Sequence, residues 1–155
     1  MSDALKAQAV SILDAGLDAT VATLRPDGWP QATTVSYASR GVHLYFGCGA
    51  SSQKAQNLAR DDRVSLTVTL PYEHWAEIRG VSLAGRARRL ADPDELAEAG
   101  KLFLAKFGGE LQQAFDPAIG EMAMFEVEPT VISVLDYAKG FGHTELLFMQ
   151  ELAPV

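Results

Sequence analysis

"YFGCGASSQKAQNLARDDRVSLTV", residues 45–68, leaves a strand through a bend of small residues, enters a short helix and returns to a strand. In the returning segment Val64, Leu66 and Val68 alternate with Ser65, Thr67 and Thr69, giving one buried and one wetter face. A helix this short, held between two strands, is an insertion into a sheet.

The flanking sequence extends that sheet in both directions. Upstream, "ATVATL", the turn "RPDG", "QATTVSYA", "SRG" and "VHLYFGC" read as a three-stranded meander with proline and glycine where turn geometry wants them. Before it, "SDALKAQAVSILDAG" is an amphipathic helix with Leu5, Ala9, Ile12 and Leu13 on one face, Ser2 or Asp3 as cap and Gly16 as stop. Downstream, "PYEHW" turns the chain into the long strand "AEIRGVSLAGRARRL", whose Gly80 and Gly85 mark bends that curl a sheet into a barrel. "DPDELAEAGKLFLAKFGG" is a helix with Leu96, Leu102, Phe103, Ala105 and Phe107 as its apolar set, Asp92 as cap and Glu95 completing a capping box. "MAMFEVEPTVISVLDY" is a last long strand interrupted at Pro129, and "AKGFGHTELLFMQELAPV" a glycine-broken loop with an apolar tail. Six or so strands in hairpin order, with helices inserted, predict a mainly β fold with α additions, an antiparallel β-barrel forming one domain over residues 1–155.

The totals narrow the function. With 20 Asp+Glu against 13 Lys+Arg the formal charge is -7, and the basic residues are scattered, so a nucleic-acid backbone would be repelled. No apolar run approaches the ~20 residues that cross a bilayer, and "MSDALKAQ" lacks the basic-then-apolar order of a secretory signal. The single cysteine, Cys48, cannot form an internal disulfide. A cytoplasmic protein that binds neither nucleic acid nor membrane is expected.

The bend "GASSQK" is where chemistry concentrates. A helix N-terminus presents unpaired N–H groups and about half a positive charge. Ser51 and Ser52 add hydroxyls, the small residues admit a ligand to the backbone, and Lys54 brings an ammonium within one turn. By composition this is a phosphate cradle. The plainer reading, a serine cap beside a solvated lysine, explains the same residues.

Two stretches then resemble the pyridoxamine 5'-phosphate oxidase-like, FMN-binding split-barrel family. They are "DGWPQATTVSYASRGVHLYFGCGASSQKAQNLARDDRVSLTV", with its order of turn, Pro, strand, turn, strand, Ser-x-Lys, Asn-Leu and strand, and "VSLAGRARRLADPDEL", a glycine-containing strand and helix. The similarity covers about residues 5 to 137. It implies an antiparallel split β-barrel, paired as a homodimer with flavin in the clefts between subunits. Carried over by position, Ser51, Ser52 and Lys54 would hold the FMN phosphate. Thr33, Thr34, Val35 and Ser36 would lie beside the ring and ribityl chain, with Phe46 and Gly47 bordering the same pocket. The partner would close the site through the "LAGRA" strand or the C-terminal loop. A flavin performs hydride and electron transfer itself, which accounts for the lack of a nucleophile triad or carboxylate dyad; no residue is assigned as catalytic. The flavin strand here is "ATTVSYA" and the tail "FMQELAPV", without the arginines and tryptophan that hold the vitamin's phosphate in true pyridoxamine phosphate oxidases. Relatives of the fold bind FAD, a deazaflavin or haem, and a phosphate cradle does not separate these. A haem-handling protein and a non-enzymatic flavin sensor are the rival readings.

Other residues carry two readings each. His143, in "KGFGHTE", either reaches a flavin, a substrate or haem iron, or is solvated. His43 and His74 read as facing solvent or a barrel end, and three dispersed histidines give no expected metal site. Trp75 and Tyr72 either cover a neighbouring subunit's flavin or simply pack. An exposed Trp29 would mark an interface or a substrate lip. Cys48 reads as a buried filler.

Overall fold

The computed structural model describes residues 2–113 and 120–149. The elements are α1 (Ser2–Ala15), β1 (Asp18–Leu24), β2 (Pro30–Arg40), β3 (His43–Gly49), α2 (Gln53–Arg60), β4 (Arg63–Thr69), β5 (Arg79–Arg89), α3 (Pro93–Phe107), α4 (Glu110–Gln113), β6 (Met122–Asp136) and β7 (Thr144–Phe148). All seven strands belong to one antiparallel sheet in the order β3-β2-β1-β4-β5-β6-β7, and a further β3–β6 ladder closes six of them into a barrel. The predicted fold class is therefore what the chain forms, with β7 as an addition on β6.

Period-two patterning builds the interior. Val64, Leu66 and Val68 are buried and their neighbours exposed, as their alternation requires. At the centre Phe46 and Phe125, cross-strand partners, stack with ring centroids 5.4 Å apart. α1 lays Ala9, Ile12 and Leu13 against the barrel, and Tyr37 ties it there by donating its hydroxyl to the Leu13 carbonyl at 2.6 Å. α3 packs Ala99 and Phe103 on the outside, against Ala38 and Tyr45, which face each other across β2 and β3.

β6 is the strand that organises the barrel. Its first half pairs with β3 and its second half with β7, while β5 runs along both. Pro129 sits between the two partnerships, opposite Gly85, at a register shift. Buried residues on β6 change there from odd to even numbers (Ala123, Phe125, Val127, then Ile132, Val134), the signature of a bulge. The interruption expected at Pro129 is thus a bulge within one continuous strand: a residue with no N–H falls where the ladder is already irregular.

Two further expectations are corrected. The loop-and-tail reading of the last segment contains β7, whose short apolar run "TELLF" pairs with Val131–Leu135; the distal tail, residues 150–155, lies outside the described residues. Asp92 does cap α3, accepting from Asp94 N at 2.9 Å, but Glu95 turns away from the capping box to pair with Arg88.

Candidate functional site

β2 and β3 are hydrogen-bonded over four pairs only, from Arg40↔His43 to Tyr37↔Phe46. Beyond Tyr37 the strands part. Were the ladder continued, Ser36 would face Gly47 and Thr34 would face Gly49; instead residues 30–36 keep to β1 and residues 47–49 keep to β6. This is the split in the barrel, and it brings the two groups of sequence-predicted residues to its lips: Thr33–Ser36 on one, Gly47 and the turn into α2 on the other.

Along β2 the side chains alternate. Thr34 and Ser36 are exposed, while Val35 belongs to the core and Thr33 is half-buried. The Thr33 hydroxyl is enclosed and has no hydrogen-bond partner among the described residues. Phe46 is also a core side chain, so it and Val35 can offer a ligand only backbone. Gly47 keeps the opposite lip low, next to Met122 and Met124.

The second lip turns into α2. Ala50 N–H donates to Glu121 O (2.8 Å) and Ser52 N–H to Gly49 O (3.0 Å), which fixes the bend on the start of β6. Ser52 is the N-cap, accepting from Ala55 N at 3.3 Å, so the plainer reading of this serine holds. Its hydroxyl hydrogen stays available, Ser51 is exposed, and the N–H groups of Gln53 and Lys54 take no protein acceptor among the described residues. Lys54 is half-buried, and among the described residues no carboxylate lies within 4 Å of it. Burial pushes its pKa below the ordinary lysine value, an effect only partly offset by the nearby Cys48 side chain. A desolvated cation, free N–H donors and hydroxyls gathered at one helix start fit an oxyanion such as a phosphate.

The residue that anchors this helix enters the sequence reading only as the Asn of the Asn-Leu pair, with no role assigned to it. Asn57 is completely buried. It accepts from Gln53 Nε2 (2.8 Å) and donates through Nδ2 to Thr23 Oγ1 (3.0 Å) and Gln31 Oε1 (3.1 Å). Its signal was an amide lying on the stripe defined by Ala55 and Leu58, where an apolar residue is the default.

The other singled-out residues lie elsewhere. His43 Nδ1 is 2.9 Å from Glu126 Oε1, in a cluster where Glu126 also meets Arg88 and Tyr45. Cys48 is buried. His143 lies beside Asp136, whose N–H donates to its carbonyl (3.1 Å), and its ring is 3.5 Å from Glu145. It and the cradle occupy opposite ends of the 15-residue β6 of one protomer. Trp75 shares that far end, packed on Phe141 (5.5 Å), which meets Tyr137 (5.4 Å). Trp29 and Trp75 are each 70% exposed.

The middle of the outer face of β2, β1, β4 and β5 carries small side chains, with Leu24, Pro30, Arg63 and Arg86 following at one end. Thr34, Thr20, Thr67 and Ser82 form one cross-strand row and Ala32, Ala22, Ser65 and Ala84 the next. A cleft of about 410 Å³ crosses this face between Arg63 and Arg86. No helix among the described residues is long and apolar enough to cross a membrane.

Residues 5–136 match the family model described as pyridoxamine 5'-phosphate oxidase. Among solved structures, the chain is similar to a conserved hypothetical protein of Mycobacterium tuberculosis, with 27% identity, 90% of this chain and 89% of that one covered, and a TM-score of 0.73. It also resembles a haem-binding protein of Mycobacterium smegmatis (23%, 92% of this chain but 56% of that one, TM-score 0.75). The haem storage protein HutZ of Vibrio cholerae is a third (12%, 89% and 89%, TM-score 0.64). At these last two identities the likeness is one of fold. No curated protein matches the sequence. The family model spans both lips of the split and every strand of the closed barrel, so the chain belongs to the pyridoxamine 5'-phosphate oxidase family.

Proposed function

We propose that this protein binds FMN non-covalently, its phosphate on the first turn of α2 and its ring system along the split between β2 and β3. The observation that carries the reading is Lys54: a half-buried ammonium with no protein anion among the described residues, beside two free N–H donors and the Ser51 and Ser52 hydroxyls. Desolvating a cation is costly unless an anion compensates it, and a bound phosphate would do so. On the opposite lip, the enclosed hydroxyl of Thr33 and the polar edge of β2 supply donors and acceptors for the rest of the ligand.

Bound flavin would supply hydride or electron transfer; the chain's part is to hold, orient and partly dry it. The protein is read as a flavin-dependent oxidoreductase acting on a small molecule. The partner is a second copy, and the two rows of small residues in the middle of the β2, β1, β4 and β5 face support this, since they allow close sheet-to-sheet approach there. Such packing would let the far end of one barrel, with Trp75 and His143, approach the cradle of the other.

The test is to purify the protein, record its absorption spectrum and titrate it with FMN. Paired bands in the blue and near ultraviolet, and an affinity that falls ten- to a hundredfold in Lys54→Ala, are expected, the loss of one charge-assisted contact of about 1.5–3 kcal/mol. A Soret band would replace this reading with haem binding.

A further inference from the structure

We propose that Asn57 is a positioning residue for the anion cradle, its buried carboxamide setting the pose of the first turn of α2; the inference rests on the reading of that turn as the phosphate site. Asn57 has no solvent exposure, and every polar hydrogen and the oxygen of its amide are engaged. Packing alone would be served by leucine, without the cost of burying an amide. What an amide adds is direction.

The three bonds run to three different places. Oδ1 receives Gln53, the residue between the Ser52 cap and Lys54, so it fixes the first turn of α2 from within. Nδ2 reaches Thr23 on β1 and Gln31 on β2, the latter two residues before Thr33 on the opposite lip. One side chain therefore sets the rotation and advance of α2 against both strands. The N–H groups of Gln53 and Lys54 are backbone donors, and their aim is the aim of the helix. Donors of this kind are useful only when held within about half an ångström.

Binding of FMN and of riboflavin, which lacks the phosphate, is measured by flavin fluorescence quenching for the unmodified chain, Gln53→Ala, Asn57→Leu and Lys54→Ala. Gln53→Ala changes an exposed side chain and keeps the test open should Asn57→Leu fail to fold. The expected result is a three- to tenfold loss of FMN affinity in Gln53→Ala and at least as much in Asn57→Leu, with riboflavin affinity held within about twofold. Equal loss of both ligands, or an unchanged FMN preference, in these two variants while Lys54→Ala loses its preference would overturn the positioning role and leave the cradle standing. An unchanged preference in Lys54→Ala would remove the cradle and the positioning role together.

Discussion

Gly85 of β5 lies directly against Pro129 of β6: the two are cross-strand partners, and a Cβ on Gly85 would overlap the Glu128 carbonyl oxygen and stand 3.0 Å from the Pro129 Cα. The bulge that lets β6 change partners is therefore built from a residue with no side chain facing one with no N–H.

Gly85→Ala should destabilise the barrel by about 1–3 kcal/mol, because the obstacle is backbone on an interior strand and has nowhere to retreat. The denaturant midpoint reads this directly, and a midpoint equal to that of the unmodified chain would mean that β5 and β6 can slide apart without cost.

FMN affinity should have an alkaline limit set by Lys54. Burial lowers its pKa, so the cation is lost on raising pH sooner than an ordinary lysine near 10.5 would lose it. The phosphate is fully charged above about pH 6–7. Affinity should be level through neutral pH and decline in the alkaline range, while Lys54→Arg stays level there; titrations across pH distinguish the two.

Glu126 should contribute to acid lability. Burial alone would raise its pKa, but bonds from His43 and Arg88 outweigh that and hold it below 4.5. A depressed carboxylate stabilises fully above its unfolded-state pKa, and that contribution vanishes as pH falls through the lower folded value. Glu126→Gln should cost about 1 kcal/mol at neutral pH and show a flatter loss of stability below pH 4.5, measured by denaturation across pH.

Association of two copies should be visible in tryptophan fluorescence. Both tryptophans are 70% exposed in the protomer, so a dimer that draws Trp75 toward a partner predicts a blue shift with rising concentration, lost in Trp75→Phe. Sedimentation over the same range should show mass doubling with it.

Much of the barrel is legible in residues whose role is local. Val64, Leu66 and Val68 announce their face by alternation, and Asp92 announces the start of α3. Pro129 misleads because its tolerance depends on Gly85, 44 residues away in sequence but adjacent in the sheet. Glu95 misleads for the same reason: its capping position is right, but Arg88 on β5 is the stronger partner. At the site, Ser51, Ser52 and Lys54 were readable because a helix start concentrates them within four residues. Asn57 was not, since its meaning lies in Thr23 and Gln31, and neither neighbour in the chain points to them.

The sole sulfhydryl, Cys48, is buried at the penultimate residue of β3 before the bend, close to Lys54. A thiol reagent can meet it only when that end of the strand lifts away, so the rate of modification is a clock for local breathing at the mouth of the split. Nature has thus placed a single-site reporter where the barrel is least stitched, and any occupant of that mouth should slow its ticking.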